Sequence, residues 1–315
     1  MVSGTTVAFI GLGRMGGPMA ARLVAAGHRV VGHDLVPELL DAAAGRGVEP
    51  AASAVAAVAG ADAVVTMLPT GRHVLALYRD GGLLAAARPG TLFLDCSTID
   101  VADARTAHEA ARDAGHRALD TPVSGGVAGA EAGTLTFMAG GDAEDFARAE
   151  PLLSAMGARA VHCGAAGAGQ AAKICNNMIL GISMIAVSEA FVLGESLGLS
   201  HQALYDVAST SSGQCWALTA NCPVPGPVPA SPANRDYRPG FSAPLMAKDL
   251  RLAADAARAG GVASELGLRA AQLYAEFAGS EGAEQDFSGI VRTVRQRSAP
   301  PTDSAPPTDP NGTPA

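Results

Sequence analysis

Two side chains four positions apart, Lys173 and Asn177, have the types and the spacing for acid–base chemistry. They lie in AAKICNNM, within a proline-free stretch that the sequence predicts to be helical. Residues at this spacing share one face of a helix, so both would face one site. Partial burial would lower the pKa of the lysine, and the asparagine amide could orient a hydroxyl or a carboxylate. The structural alternative is a lysine extended along the surface beside a capping asparagine.

A glycine-rich turn follows the strand-like run VAFI and precedes a helical stretch near Pro18. The first glycine permits a tight turn, the second lets the backbone approach a pyrophosphate, and the third lets helix and strand pack closely. Free amides at the helix N-terminus would hold the pyrophosphate. Asp34 ends the next strand-like run and can accept both ribose hydroxyls while repelling a 2′-phosphate, which favours NAD over NADP. The predicted dinucleotide site therefore includes Gly11, Leu12, Gly13, Arg14, Met15, Gly16 and Asp34.

Residues at the ends of two later strand-like runs are further candidates for the cofactor site. Met67, Leu68 and Pro69 follow one run, and Thr98 follows the next. Ligands of a doubly wound sheet lie off the carboxyl ends of its strands. These residues are therefore predicted to line the cofactor cleft.

A third strand end carries the turn Ser124, Gly125 and Gly126. A hydroxyl beside unobstructed backbone amides suits a small carboxylate, although an ordinary glycine turn has the same composition. Lys248 and Asp249, by spacing alone, are typical of an exposed helix pair. Nothing else in the second half predicts catalysis, and the single tryptophan, Trp216, is expected in the core.

The elements that must position these residues follow an α/β order in the first half of the chain. Ala-rich helical stretches alternate with short apolar runs at 6–10, 29–33, 63–67, 91–95, 118–120, 134–138 and 159–163. This alternation predicts βαβ units in a doubly wound, mostly parallel sheet, which is an N-terminal Rossmann domain over residues 1–163.

Beyond residue 163 we find no strand-like alternation, which predicts an all-α domain over 164–297. A connector, GAAGAGQ at 164–170, leads into one long interdomain helix from 171 to about 197. Later helices are predicted at 201–208, 244–259, 264–278 and 287–297. The proline-rich segment 222–232 is predicted to be a surface loop, and the proline-rich tail 298–315 is predicted to be disordered.

The composition argues against several function classes. The 315 residues suffice for about two domains. A net charge of −8 argues against partners such as nucleic acid or an anionic membrane. No apolar run reaches the ~20 residues of a membrane span. The first residues contain no basic region and no small-residue cleavage site, so we expect no secretory signal. Five cysteines form no CxxC pair and no cluster with histidine, so we expect free thiols, no metal and a cytoplasmic protein.

Six stretches give the chain a family resemblance that covers residues 5–297. It resembles the β-hydroxyacid dehydrogenases, and within them the branch acting on 3-hydroxyisobutyrate. The stretches are FIGLGRMGGPMAARL (9–23), TMLPT (66–70), DCSTID (95–100), DTPVSGGVAGAEAGTLTFMAGG (120–141), GAGQAAKICNNM (167–178) and LMAKDL (245–250). This resemblance implies a Rossmann domain followed by an all-α domain, and a homodimer or homotetramer.

The resemblance also implies an activity and a set of roles. The activity is NAD-dependent oxidation of 3-hydroxyisobutyrate to methylmalonate semialdehyde, a step of valine breakdown. By the resemblance, Lys173 is the catalytic acid/base, Asn177 holds the substrate, and Lys248 closes on the cofactor and the substrate. The other residues implied are Ser124, Gly125 and Gly126 for the substrate carboxylate, and Leu68, Pro69 and Thr98 for NAD.

Alternatives remain on the residues alone. The nearest is a tartronate semialdehyde reductase or another enzyme for short β-hydroxy acids, and a non-catalytic NAD-binding regulator is the alternative from a different class. A 6-phosphogluconate dehydrogenase would need a longer helical half, and an imine reductase would lack the lysine at 173. Arg14, Arg22 and Thr121 depart from the family pattern, in which Asn, Asn and Ala are usual.

Overall fold

A computed structural model describes residues 4–298, so the predicted tail lies outside the described residues except for Ser298, which ends a helix. Nine strands form one sheet. They are Thr6–Ile10 (β1), Arg29–His33 (β2), Glu49–Pro50 (β3), Ala63–Thr66 (β4), Leu92–Asp95 (β5), Arg117–Asp120 (β6), Val123–Ser124 (β7), Leu135–Gly140 (β8) and Gly157–Gly164 (β9). Every predicted strand-like run is a strand, and the two-residue β3 and β7 are additional.

The first six strands are parallel and lie in the order β3-β2-β1-β4-β5-β6. This is the strand order of a Rossmann sheet, in which ligands bind where the order reverses, between β1 and β4. Beyond β6 the sheet becomes mixed, because β8 is antiparallel to β6 and β7, while β9 is parallel to β8.

The helices of the described residues accompany and then follow these strands. They are Gly16–Ala25 (α1), Pro37–Ala44 (α2), Ala54–Val58 (α3), Gly71–Leu75 (α4), Leu83–Ala86 (α5), Val101–Asp113 (α6), Gly126–Ala132 (α7), Ala143–Met156 (α8), Ala168–Ser196 (α9), His201–Ala208 (α10), Trp216–Thr219 (α11), Ala243–Ala259 (α12), Glu265–Ala278 (α13) and Ile290–Ser298 (α14). A π-helical turn, Ala76–Asp80, continues α4, and two 3-10 turns occur at Pro232–Arg235 and Phe287–Gly289.

Alternate side chains of β1 enter two different cores, because successive residues of a strand point to opposite faces. Val7 and Phe9 pack in a cluster with Met19 of α1, while Ala8 and Ile10 pack in another. All four are at most 4% exposed. The parallel sheet is therefore covered on both faces, as the near-continuous apolar runs of its strands predict.

Two compact units divide the chain differently from the predicted boundary after residue 163. The first unit runs to Ile179 and also includes Lys248–Ala271, and the second comprises Leu180–Ala247 and the chain from Gln272. The physical reason is a small apolar cluster in the first unit, in which Ile174 of α9 packs with Leu252 of α12 and Val101 of α6. The start of the long helix and most of α12 therefore belong with the sheet.

In the second unit, one expectation was wrong and another was only partly right. The proline-rich segment is a loop with exposed residues, as predicted, but it is also anchored, because Cys222 and Ser231 are buried and the Ser231 Oγ donates to the Cys222 carbonyl at 2.6 Å. Trp216 is 57% exposed instead of buried, because it begins a helix of only four residues whose buried side chains are Ala217 and Leu218.

One described helix, α9, is long and apolar enough to cross a membrane by length and composition alone. This is weak evidence, because the core helix of a protein in water passes the same test. Three polar side chains of its first three turns, Gln170, Lys173 and Asn177, are at most 7% exposed within the folded chain. Buried polar groups of this kind are typical of a helix that contributes to a functional site.

Candidate active site

The glycine turn after β1 has the geometry of a dinucleotide cradle. Gly11 has φ +94°, and a Cβ there would lie 2.3 Å from the Met67 carbonyl oxygen. A Cβ at Gly16 would lie 1.9 Å from the Gly11 carbonyl oxygen. At Gly13 the backbone is not left-handed, and a Cβ would meet no atom of residues 4–298 within 4 Å. Neither strain nor packing among these residues requires glycine at 13, whereas close approach of a phosphate from outside the chain would.

The start of α1 and the Asp34 carboxylate complete this cradle. The N-cap residue of α1, Met15, makes no side-chain hydrogen bond to the first turn, so no capping side chain competes for the amides that bind anions. Asp34 accepts hydrogen bonds from the amides of Leu12 at 2.7 Å and Val36 at 2.9 Å, which holds its carboxylate beside the turn. The residues present therefore fit a dinucleotide, with Arg14 exposed at the mouth of the turn.

The ends of β4 and β5 are joined by a buried hydrogen-bond network. The Leu68 amide donates to the Ser97 Oγ at 2.8 Å, and that hydroxyl donates to the Asp95 carboxylate at 2.6 Å. Thr66 donates to the same carboxylate oxygen at 2.7 Å. Burial raises the pKa of Asp95 to about 6, although the hydrogen bonds from Ser97 and Thr66 oppose that rise. The network fixes the backbone of the predicted cofactor contact Leu68, while its neighbour Pro69 is exposed.

Lys173 and Asn177 both face the interior, 7% and 2% exposed. Burial lowers the pKa of Lys173, the nearby carboxylate of Asp249 raises it, and the second ammonium, Lys248, lowers it. The Asn177 amide is held by two bonds, since its Nδ2 donates to Asp249 Oδ2 at 2.6 Å and its Oδ1 accepts from the Asn176 Nδ2 at 3.1 Å. The site therefore contains a desolvated amine beside an oriented amide, as acid–base chemistry requires.

The prediction of an exposed helix pair at 248–249 was wrong. Asp249 is 3% exposed, and Lys248 donates from Nζ to the Thr98 carbonyl oxygen at 2.8 Å. The same Nζ lies 3.5 Å from Asp249 Oδ1, which has no hydrogen-bond partner among residues 4–298. Spacing did not predict this burial, because it results from packing of α12 on α9. The structure thus brings Lys173, Asn177, Lys248 and Thr98 into one region of the first unit.

One sequence signal could have identified Lys248 in advance. The chain has 22 basic residues, and only two of them, Lys173 and Lys248, are lysines. Arginine cannot release a proton near neutral pH, whereas a buried lysine can. Because arginine occupies every other Lys or Arg position, the two lysines are the basic residues best suited to a role that arginine cannot fill.

The turn predicted to bind a carboxylate lies between β7 and α7. Ser124 is half-buried, and Gly125 is exposed with φ +131°, a conformation that favours glycine. Within residues 4–298 no hydrogen bond joins this turn to Lys173 or Asn177, so its role in substrate binding stays a prediction. Arg22, which departs from the family pattern, lies beside Gly133 and not in the glycine turn. Residues 4–298 contain no group of three His, Cys, Asp or Glu side chains that could hold a metal ion.

The fold and the site define a class, the nicotinamide-dependent dehydrogenases with a Rossmann sheet and a helical C-terminal part. Residues 6–164 match the family "NAD binding domain of 6-phosphogluconate dehydrogenase", and residues 167–294 match "NAD-binding of NADP-dependent 3-hydroxyisobutyrate dehydrogenase". The chain belongs to the 3-hydroxyisobutyrate dehydrogenase family of β-hydroxyacid dehydrogenases, so the predicted family, fold, enzyme class and nicotinamide cofactor are confirmed.

Named relatives agree with this membership. A probable 3-hydroxyisobutyrate dehydrogenase of Mycobacterium tuberculosis is 57% identical over 93% of this chain and 99% of its own length. An NAD-dependent L-serine dehydrogenase of Pseudomonas aeruginosa is 50% identical over 91% of this chain and 96% of its own length. A solved structure of M. tuberculosis 3-hydroxyisobutyrate dehydrogenase with L-serine has a TM-score of 0.90 and 56% identity, covering 93% of this chain and 99% of that one.

Proposed function

We propose that this enzyme oxidises 3-hydroxyisobutyrate to methylmalonate semialdehyde with NAD, in the cytoplasm, as a step of valine breakdown. The observation that carries the proposal is the buried Lys173, one helical turn from the oriented amide of Asn177. The naming of the M. tuberculosis relative supports the substrate. The five free cysteines are consistent with a reducing compartment.

Each residue of the site has a separate role in the proposed alcohol oxidation. Bound NAD would accept the hydride from the substrate carbon. Burial lowers the pKa of Lys173, which favours the neutral amine that takes the hydroxyl proton, and the ammonium form returns the proton in the reverse reaction. Asn177 can orient the hydroxyl, because Asp249 and Asn176 hold its amide. The turn at Ser124 would hold the substrate carboxylate and so decide which carbon faces the cofactor.

The preference for NAD rests on Asp34. Its carboxylate is held beside the glycine turn by the amides of Leu12 and Val36. In this position it can accept the ribose hydroxyls of NAD, and its charge would repel the 2′-phosphate of NADP.

L-Serine is the second candidate substrate. The Pseudomonas relative is named an L-serine dehydrogenase, and the M. tuberculosis structure was solved with L-serine. L-Serine and 3-hydroxyisobutyrate share a primary hydroxyl and a carboxylate and differ at the carbon between them. Lys173 and Asn177 can therefore act on the hydroxyl group of either substrate in the same way.

Initial rates of NADH formation test the proposal. The panel offers NAD or NADP with 3-hydroxyisobutyrate, L-serine, glycerate, 3-hydroxypropionate and 6-phosphogluconate. We expect the highest kcat/KM for 3-hydroxyisobutyrate with NAD, and L-serine as the best substrate would transfer the assignment to the second candidate. Lys173→Ala and Lys173→Arg should both abolish turnover, because arginine keeps the charge but cannot release the proton. Binding of NAD without turnover of any acid would favour a regulator.

A further inference from the structure

The first turn of α9 is attached to the end of β6 by a buried carboxylate. Asp120 is 4% exposed, and its two oxygens accept hydrogen bonds from the Gly167 amide at 2.7 Å and the Gln170 amide at 2.8 Å. Amides at a helix start have no partner within the helix, so a carboxylate there both satisfies them and favours the helix dipole. Asp120 therefore fixes where the helix that carries Lys173 begins.

The Gln170 side chain attaches the same turn to the end of β5. Gln170 is fully buried, its Oε1 accepts from the Ile99 amide at 3.1 Å, and its Nε2 donates to the Ser97 carbonyl oxygen at 2.7 Å. The Ser97 hydroxyl in turn accepts a hydrogen bond from the Leu68 amide at 2.8 Å. One side chain thus connects α9 to the strand ends predicted to contact the cofactor.

Two glycines leave this junction little room to shift. A Cβ at Gly169 would lie 2.2 Å from the Met138 carbonyl oxygen, and one at Gly140 would lie 2.7 Å from the Gly169 amide nitrogen. The helix start therefore packs directly on the strand backbones. In such close packing, the hydrogen bonds of the Gln170 side chain set the register of α9 against the end of β5. Its amide oxygen and amide nitrogen bond to a donor and an acceptor, respectively, on the same short segment, Ser97 to Ile99.

We propose that Gln170 is a positioning residue that holds Lys173, three residues along the same helix, in register with the cofactor-binding ends of β4 and β5. The proposal rests on the acid–base role assigned to Lys173 under the proposed function. Glutamine suits the task because it presents one donor and one acceptor without a charge. A displacement of about 1 Å in a reacting group can cost on the order of 100-fold in rate.

Gln170→Met and Gln170→Glu test the proposal. Methionine has a similar length but supplies neither hydrogen bond, so kcat should fall at least about tenfold while the KM for NAD changes less than about threefold. Protonated glutamic acid can replace the amide, since its carbonyl oxygen accepts and its hydroxyl donates. When ionised, it would place a negative oxygen against the Ser97 carbonyl.

The Glu variant therefore gives a readout that a purely structural role would not. The carboxylates near position 170 are Asp120 and, through Ser97, Asp95, and both disfavour an ionised glutamate there. The Lys248 ammonium, which donates to the Thr98 carbonyl oxygen on the segment that Gln170 contacts, acts in the opposite sense. The ratio of its kcat to that of the wild type should rise as the pH falls from about 9 to about 6. The corresponding ratio for Gln170→Met should not rise as the pH falls, because methionine has no proton to gain.

Gln202→Met is the matched control, since Gln202 is an exposed residue of α10 whose Nε2 donates to the Asp206 carboxylate at 2.8 Å. A readout independent of turnover comes from NMR of 13Cε-lysine, because the chain contains only two lysines. Gln170→Met should move the pKa of Lys173 toward its ordinary value, and Gln202→Met should not.

Three results would overturn the positioning role. They are an unchanged kcat and Lys173 pKa in Gln170→Met, a pH-independent kcat ratio in Gln170→Glu, and equal effects of Gln170→Met and Gln202→Met. If the wild type oxidises no acid in the panel, the proposed function fails. The positioning role of Gln170 is then decided by NMR, from whether Gln170→Met changes the pKa of Lys173. If Gln170→Met does not fold, the pH dependence of Gln170→Glu decides it.

Discussion

Replacing Gly13 with alanine should lower the affinity for the cofactor without lowering the stability of the fold. Within the described part of the chain, a Cβ at Gly13 meets no atom within 4 Å, and the backbone there is not left-handed. The folded chain should therefore accept Gly13→Ala without strain. Alanine also reduces the freedom of the unfolded chain, so the free energy of unfolding should change by about 0 to +1 kcal/mol.

The expected loss is in cofactor binding. The added methyl group would stand where the backbone must approach the pyrophosphate. Losing one charge-assisted hydrogen bond to the phosphate costs about 1.5 to 3 kcal/mol. Since 1.4 kcal/mol is about a tenfold change in Kd, the affinity for NADH should fall about 10- to 150-fold.

The assay combines calorimetric titration with NADH and urea unfolding without cofactor. Gly60→Ala is the matched control, since a Cβ at Gly60 also meets no described atom within 4 Å and Gly60 lies outside the glycine turn. Gly16→Ala is the opposite control, because its Cβ would lie 1.9 Å from the Gly11 carbonyl oxygen and should destabilise the fold. If Gly13→Ala bound NADH as tightly as Gly60→Ala at equal stability, the open space at Gly13 would not be the pyrophosphate site.

Three further predictions concern carboxylates. Asp249→Asn removes the charge that raises the pKa of Lys173, so the acid limb of kcat/KM for oxidation should move to lower pH, as measured by pH–rate profiles. Asp34→Asn removes the repulsion of a 2′-phosphate, so the ratio of kcat/KM for NADP to that for NAD should rise about tenfold in initial-rate assays. Asp95 has a pKa of about 6 in the folded chain against an ordinary 3.8, so between these values the folded chain binds more protons than the unfolded chain. The free energy of unfolding should therefore fall by about 3 kcal/mol as the pH rises from about 4 to about 6. Urea unfolding at several pH values should show this fall in the wild type and not in Asp95→Asn.

Each of these predictions has a distinct contrary outcome. A pH–rate profile of Asp249→Asn that moves to higher pH would mean that Asp249 does not stabilise the Lys173 ammonium. An unchanged cofactor ratio in Asp34→Asn would place the ribose elsewhere. Parallel stability curves of wild type and Asp95→Asn between about pH 4 and pH 6 would show that Asp95 is ionised normally in the fold.

Much of the fold could be predicted from the sequence because its signals are local. The β1 and β2 strands and the α10 helix begin and end at the predicted residues. Apolar runs, alanine-rich stretches and the glycine turn act over a few neighbours, so they do not need the rest of the chain. Lys173 and Asn177 were found in the same way, because helical spacing alone puts them on one face.

The tertiary structure decided which distant residues join them. Asp249 holds the amide of Asn177 across 72 positions, and Gln170 bonds to Ser97 across 73. On spacing alone, Lys248 and Asp249 resemble any exposed helix pair, and the segment before Gln170 resembles a connector. Their burial depends on how α9 and α12 pack on the sheet, and such packing is set by shape and solvent exclusion between segments far apart in the chain. The sequence by itself therefore determined most of the elements and the pairing of Lys173 with Asn177, and only the packed structure determined the groups that orient these two side chains.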